Sequence, residues 1–153
     1  MTEAIVCGVD DSDRAQDAAR VAARLCAELD LRLTLVHVAP PPVTSGFTPP
    51  AYAYPGERDN EELIEAGNTL LDRIAGRLDL GERVTRHVVV GEASERLREV
   101  AVDEGAQFLV VGSRGRGLLK SAVLGSVSSA LAGDAPCPVV VVPPGSTPTG
   151  PGP

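Results

Sequence analysis

Aromatic and basic residues are scarce in this 153-residue chain. It has no Trp, two Phe and two Tyr, so Val, Leu, Ile and Ala must supply the core, as in a buried parallel sheet covered by Ala-rich helices. Lys and Arg number 14 against 21 Asp and Glu, which gives a net charge of −7. This balance argues against nucleic-acid and anionic-membrane partners, because those surfaces attract basic proteins. A local phosphate site is not excluded, since backbone N–H groups bind anions whatever the net charge.

Cysteines and long apolar runs are also few. Cys7, Cys26 and Cys137 form no CxxC motif and are odd in number, so we expect no disulfide framework and interpret Cys7 and Cys26 as core side chains. No stretch approaches the length of a membrane span, and the N-terminus lacks the basic and apolar regions of a signal peptide. We therefore expect a cytoplasmic protein.

Apolar runs alternate with helical stripes along residues 1–142, which we predict to be one domain. The predicted strands are 4–9, 31–38, 83–90, 108–111 and 138–142. The first predicted helix follows Ser12 as its cap and carries an apolar stripe from Ala15 to Leu29, and the other predicted helices are 61–78, 94–104 and 126–132. This alternation predicts a doubly wound, Rossmann-like α/β fold, with a five-stranded parallel sheet and helices on both faces in three layers. Such sheets bind ligands at the carboxyl ends of their strands.

Two segments lack a periodic pattern. Residues 39–56 are rich in Pro and contain Phe47, Tyr52 and Tyr54, so this segment is either a mobile insertion or a lid over a ligand. Residues 143–153 contain only Pro, Gly, Ser and Thr, a composition that predicts a disordered tail.

A glycine-rich segment, Gly112 to Ser126, directly follows the apolar run 109–111. Glycine at a strand exit lets the backbone approach a ligand, and the helix that begins at Ser126 offers free N–H groups and a positive dipole. The segment does not fit a Walker A loop, because two leucines separate Gly117 from Lys120. Nor does it fit a dinucleotide fingerprint, in which Lys120 would occupy the third glycine position. A tight turn without a ligand remains the structural alternative.

A third pattern does fit: Gly112, two residues, Gly115, nine residues, then Gly125-Ser126. Together with the opening motif 9–12, the strand end 36–38 and the closing run 135–142, this pattern resembles the nucleotide-binding branch of the universal stress protein family. The resemblance covers nearly the whole chain apart from the Pro-rich loop and the tail. It implies the strand order 3-2-1-4-5.

The same resemblance implies ATP as the ligand, with Mg²⁺. Asp10 would contact the ribose hydroxyls, and its carboxylate would help to bind a metal ion held by the phosphates. The same residue also suits a helix cap. Val38 would meet adenine, glycines 112 and 115 would wrap the ribose and α-phosphate, and residues 125–127 would hold the outer phosphates. Asp11 departs from the family, where a small residue is common. The complete predicted site is Asp10, Val38, Val111, Gly112, Gly115, Arg116, Gly125, Ser126 and Val127.

An apolar last strand at the sheet edge is an aggregation hazard unless it is covered. We expect a homodimer through Val139, Val140, Val141 and Val142, since two-fold pairing covers this edge in both copies. No triad ordering, zinc spacing or carboxylate pair identifies a catalytic residue, and His37 and His87 are interpreted as structural. The implied function is an ATP-dependent stress-response module that binds an unidentified regulatory partner. A slow ATPase or autophosphorylating enzyme and a nucleotide-free dimeric scaffold are the alternatives.

Overall fold

A computed structural model describes residues 3–41, 57–113 and 124–146, without the side chains of residues 57–59. Strands and helices alternate along these residues. The strands are β1 (Ala4–Gly8), β2 (Arg32–Ala39), β3 (Val84–Val90), β4 (Ala106–Gly112) and β5 (Val139–Val142). The helices are α1 (Asp13–Leu29), α2 (Glu57–Ala75), α3 (Ala93–Asp103) and α4 (Ser126–Gly133).

The five strands form one parallel sheet in the order β3-β2-β1-β4-β5. Helices α1 and α2 pack on one face of the sheet, and α3 and α4 pack on the other. The predicted doubly wound fold, its strand order and its three layers are therefore confirmed.

The two faces of β1 explain why its sequence is apolar without alternation. Ile5 and Cys7 pack toward α1 and α2, while Val6 packs toward α3 and α4. A strand covered on both faces needs apolar residues at every position. Along α1 the facing residues are small, with Ala18 and Ala22 fully buried, so the helix lies close to the sheet.

Cys7 and Cys26 are both fully buried in the core between the sheet and α1, as the sequence predicts. Burial raises the pKa of both thiols, that of Cys26 to about 11. Both therefore remain protonated at neutral pH and act as small core side chains.

The predicted boundaries of α2 differ from the observed ones by more than those of α3 and α4, which are off by one residue at most. Helix α2 begins at Glu57 rather than 61, and it ends at Ala75 rather than 78. Beyond Ala75 the N–H groups of Arg77 and Leu78 bond carbonyls three residues back, at 3.1 and 3.0 Å, so the last turn tightens. Leu78 still reaches the core, which is why the apolar period continues past the end of the helix.

The chain beyond β5 turns back toward α1. The Gly145 N–H donates to the Asp17 carboxylate at 3.0 Å, and the Ser146 N–H donates to the Pro143 carbonyl at 3.2 Å. The remainder of the predicted tail, 147–153, lies outside the described residues, as do positions 42–56 of the Pro-rich segment. Among the helices that the structure describes, none combines the length and apolarity needed to cross a membrane.

Gly67 allows α2 to pack closely against the sheet. A Cβ at this position would lie 2.7 Å from Val88 Cγ1 and 3.1 Å from His37 Cδ2. We expect Gly67→Ala to lower the free energy of unfolding by about 1 kcal/mol or more, because overpacking outweighs the better helix propensity of Ala. Urea denaturation followed by circular dichroism measures this change.

The matched control is Gly133→Ala in α4, where an added Cβ meets nothing within 4 Å. This variant should be as stable as the wild type or slightly more stable. Equal stability of the two variants would show that the close approach of α2 does not matter.

Candidate functional site

The carboxyl ends of three adjacent strands bring most of the predicted site residues to one edge of the sheet. Strand β1 lies between β2 and β4, and Cys7 pairs with Val110. Asp10 and Ser113 each follow that pair by three residues. Val38 lies near the end of β2, on the other side of β1. Gly115 and Arg116 lie outside the described residues.

Asp10 forms a tight turn with Ser12 between β1 and α1. Its Oδ1 accepts the Ser12 backbone N–H at 2.9 Å and also the Ser12 hydroxyl. Ser12 does occupy the N-cap position of α1, but its side chain makes no cap hydrogen bond. The predicted capping by the Ser12 side chain is therefore wrong, because its hydroxyl donates to Asp10 instead of accepting an N–H from the helix.

His37 anchors the same turn to β2. Its Nδ1 lies 3.0 Å from the Val9 carbonyl oxygen, which only accepts, so Nδ1 carries the proton. The Val9 N–H donates in turn to the Val36 carbonyl at 2.9 Å. This contact supports the structural interpretation of His37 and gives it a specific task, since it fixes the backbone just before Asp10.

A group of hydrogen bonds, here called the serine clasp, joins the two ends of the glycine-rich segment. The residues that make these hydrogen bonds are Ser113, Gly125 and Ser128. The Gly125 N–H donates to the Ser113 carbonyl at 2.7 Å, and the Ser128 hydroxyl lies 3.1 Å from the carbonyl oxygens of both Ser113 and Gly125. Ser128 is 1% exposed. The clasp therefore holds the end of β4 against the start of α4.

Sequence reasoning did not identify the clasp. Ser128 and Ser129 look alike in the sequence, yet only Ser128 is buried. The available signal is helical spacing, because Ser128 lies three residues before Leu131, which is also buried.

All four helices follow a strand and begin at this edge, and the N-termini of α1, α3 and α4 differ in charge. Helix α1 has Asp13 in its first turn. At α3 the Glu92 carboxylate accepts the N–H groups of Ser94 and Glu95, at 3.1 and 2.8 Å. Helix α4 has Gly125 as its N-cap, no side-chain cap and no acidic residue in its first turn. Of these three helices, α4 is the one whose positive end has no carboxylate of its own beside it.

The Glu92 carboxylate provides hydrogen-bond acceptors for the N–H groups at the start of α3. The Ser94 hydroxyl, which donates at 2.7 Å, and the N–H groups of Glu95 and Ser94 lower the pKa of Glu92. The capping role of Glu92 was not predicted from the sequence. Glutamate is an unusual N-cap residue, and its identification depends on geometry.

The remaining predicted residues offer different atoms to a ligand. Val111 is 3% exposed and packs toward α3 and α4, so its main chain is what can reach a ligand. Val127 is half-buried and packs on the same side, whereas the Ser126 side chain is exposed. No cluster of three His, Cys, Asp or Glu residues suited to a metal occurs among the residues that the structure describes. The Mg²⁺ prediction for Asp10 stays a prediction.

Comparison with known proteins places these features in a family. The model of the universal stress protein family matches residues 1–143. A universal stress protein of Mycolicibacterium smegmatis is 34% identical over 138 residues, which cover 90% of this chain and 47% of that protein. A universal stress protein of Thermus aquaticus is 30% identical over 145 residues, covering 93% of this chain and 99% of that protein. The chain thus spans about half of the mycobacterial relative and almost all of the Thermus one.

Solved structures share the fold. Hypothetical protein MJ0577 superposes with a TM-score of 0.74 at 26% identity, covering 96% of this chain and 99% of that one. A universal stress protein in complex with cAMP is 23% identical, with a TM-score of 0.61 over 92% of this chain and 96% of that one. A universal stress protein from Archaeoglobus fulgidus in complex with dAMP is also 23% identical, with a TM-score of 0.60 over 92% and 97%.

Removal of the Ser128 hydroxyl tests the clasp. We expect Ser128→Ala to lower the free energy of unfolding by about 1 kcal/mol and to speed amide exchange at Gly125. The loss stays modest because both acceptor carbonyls keep an N–H partner, Gly125 for Ser113 and Ser129 for Gly125. Ser129→Ala is the control, since Ser129 is exposed. If the two variants behaved alike in urea denaturation and hydrogen exchange, the clasp would have no stabilising role.

Proposed function

The chain belongs to the universal stress protein family, and from that premise we propose that it binds ATP at the carboxyl edge of its sheet as a regulatory signal. The observation that carries this proposal is the N-terminus of α4, which ends the glycine-rich segment without a side-chain cap or an acidic first turn. Free N–H groups and the helix dipole favour a phosphate at such a position.

The neighbouring helices support this choice of phosphate site. A phosphate near α3 would compete with the Glu92 carboxylate, which already accepts two N–H groups there, and near α1 it would face Asp13. We assign the outer phosphates to Ser126 and Val127, with Gly125 beside them, because the Gly125 N–H already donates to the Ser113 carbonyl. By position in the family pattern, Gly112, Gly115 and Arg116 would surround the inner phosphate and ribose.

Asp10 is the proposed partner of the ribose diol. The two donors from Ser12 meet Oδ1 and fix the orientation of the carboxylate, which is the preorganisation that binding a diol requires. The main chains of Val38 and Val111 would border the adenine. The adenine nucleotides named in the cAMP and dAMP complexes of related proteins support an adenine base.

Mg²⁺ would accompany the nucleotide and reduce the repulsion between its phosphates and nearby carboxylates. We propose Asp10 as its protein contact, because Ser12 holds this carboxylate in place at the end of β1. Asp11 and Asp13 are exposed on the same turn and would repel a polyphosphate that lacked its metal. We therefore propose that the complex with Mg²⁺ is the form that binds.

A second copy of the chain is the proposed partner at β5. This strand forms an edge of the sheet, and the Ser113 N–H, at the start of the serine clasp, donates to the Val142 carbonyl at 2.9 Å. The phosphate segment and the proposed dimer edge therefore share a hydrogen bond. Through this contact, ATP would alter dimer affinity to the extent that it binds the two forms differently, and a regulatory partner would sense the change.

Gly125→Val tests the nucleotide site. Isothermal titration of Mg²⁺-ATP into the wild-type chain should give saturable binding, and the variant should lose at least tenfold in affinity, because a branched side chain crowds the N–H groups of α4. Gly133→Val, at the other end of the same helix in open space, is the matched control and should bind like the wild type. A folded wild-type chain that bound no ATP would contradict the proposal and favour the nucleotide-free scaffold.

Val140→Lys tests the dimer. A dilution series by analytical ultracentrifugation should show a wild-type dimer at micromolar concentration and a monomeric variant, because a charge in the paired edge is unfavourable. Val102→Lys is the control, since Val102 is 64% exposed on α3 and should not affect association. A wild-type protein that remained monomeric throughout would exclude the β5 dimer.

A further inference from the structure

Two side-chain atoms among the described residues are buried without a hydrogen-bond partner, Gln16 Nε2 and Asn60 Oδ1. Gln16 is only 8% exposed and lies among the core alanines of α1. A buried amide that makes no hydrogen bond forfeits its interaction with water and gains nothing in return. Such groups are rare in folded proteins and call for a specific explanation.

Gln16 lies near the carboxyl edge of the sheet, on the flank of α1 that faces α2. It comes three residues after Asp13, the first residue of the helix, and helical side chains lean toward the N-terminus. At about 100° per residue, Gln16 and Asp17 fall on opposite sides of the buried stripe through Ala18 and Ala22. Asp17 contacts Gly145 beyond β5, so the Gln16 flank faces the other way, toward α2.

Asn60 faces the same region from α2. It precedes Gly67 by seven residues, or about two helical turns, so both residues lie on one face of the helix. Gly67 faces His37 and Val88 on the sheet. Asn60 lies about 10 Å farther along the helix in the direction of its N-terminus, which places it beyond the end of β2, where Val38 and Ala39 lie.

We propose that Gln16 and Asn60 read the base of the bound nucleotide, an inference that rests on the proposed ATP site. The Gln16 N–H would donate to a ring nitrogen, and the Asn60 carbonyl would accept from the exocyclic amine. Adenine presents such a donor beside such an acceptor. The unused donor and the unused acceptor are thus the complement of an adenine edge, and they lie in the first two turns of the helices that follow β1 and β2.

This arrangement selects adenine over hypoxanthine. In inosine nucleotides a carbonyl replaces the exocyclic amine, so the Asn60 oxygen would face another acceptor in a buried site. Sites built around a hydrogen bond to one substrate reject analogues that lack it, since the protein group is then left unpaired. The ribose and phosphate contacts do not distinguish the two nucleotides, so the discrimination isolates the base.

The test compares ATP, ITP and inorganic tripolyphosphate, each with Mg²⁺, by isothermal titration. The wild-type chain should prefer ATP to ITP by at least tenfold, and Asn60→Leu should remove most of that preference. Gln16→Met should weaken ATP binding by about tenfold, the effect of one lost hydrogen bond in a buried site. Tripolyphosphate affinity should be unchanged in both variants. The matched controls are Asn68→Leu and Gln107→Met, because both residues are exposed, and they should bind like the wild type.

Thermal unfolding without nucleotide provides a second readout. Gln16→Met should raise the Tm by about 2 °C or more, since an apolar side chain of similar shape replaces an unpaired amide, whereas Gln107→Met should not. A lower Tm for Gln16→Met would show that the amide is already satisfied in the free protein and would overturn the inference.

The titrations separate the two ways of failing. Equal affinities for ATP and ITP, unaffected by either variant, would overturn base reading while leaving the nucleotide site in place. Absence of binding by any of the three ligands would overturn the proposed function and the inference together.

Discussion

The central position of β1 determines the arrangement of the rest of the molecule. It pairs in parallel with β2 on one side and with β4 on the other, so the chain extends the sheet outward in both directions from this strand. The helices that follow β1 and β2 cover one face, and those that follow β3 and β4 cover the other. Where the winding changes direction, the connections after β1 and β4 diverge and leave a crevice at the carboxyl edge. The turn that holds Asp10 lies at this crevice.

The fold was predictable because it depends on features that the sequence repeats many times. Each strand is an apolar run and each helix an apolar stripe, and the alternation of the two leaves few topologies. The sequence-based predictions failed where one side chain has more than one possible hydrogen-bond partner. Serine is a common N-cap residue, but the Ser12 hydroxyl donates to Asp10. Glutamate is an uncommon N-cap residue, yet Glu92 caps α3. Such choices depend on tertiary geometry that residue type does not encode.

For the candidate site, only the placement of some predicted residues at strand ends can be compared with the structure. The positions of Asp10, Val38 and Gly112 follow from strand ends and hence from the apolar runs. The serine clasp, by contrast, depends on the burial of Ser128 and not of Ser129, and on a backbone contact between Ser113 and Gly125. Those two residues are separated by twelve positions in the sequence, and no local rule pairs them. The same holds for Gln16 and Asn60, which become notable only because the fold buries them without partners.

The clasp also gives the glycine pattern a physical interpretation that composition alone does not. Ser113 uses its N–H to bond the last residue of β5 and its carbonyl to bond Gly125 at the start of α4. The backbone at that point is therefore fixed from both sides, so the N–H groups of α4 are oriented before any anion arrives.

The net charge of −7 repels a polyanion at long range, but this repulsion is screened over about 8 Å at physiological salt. Within that distance the oriented N–H groups at the start of α4 act directly on the anion. This helix also has no acidic residue in its first turn to oppose it. Local backbone geometry, rather than net charge, thus determines where on this surface a phosphate is best accommodated.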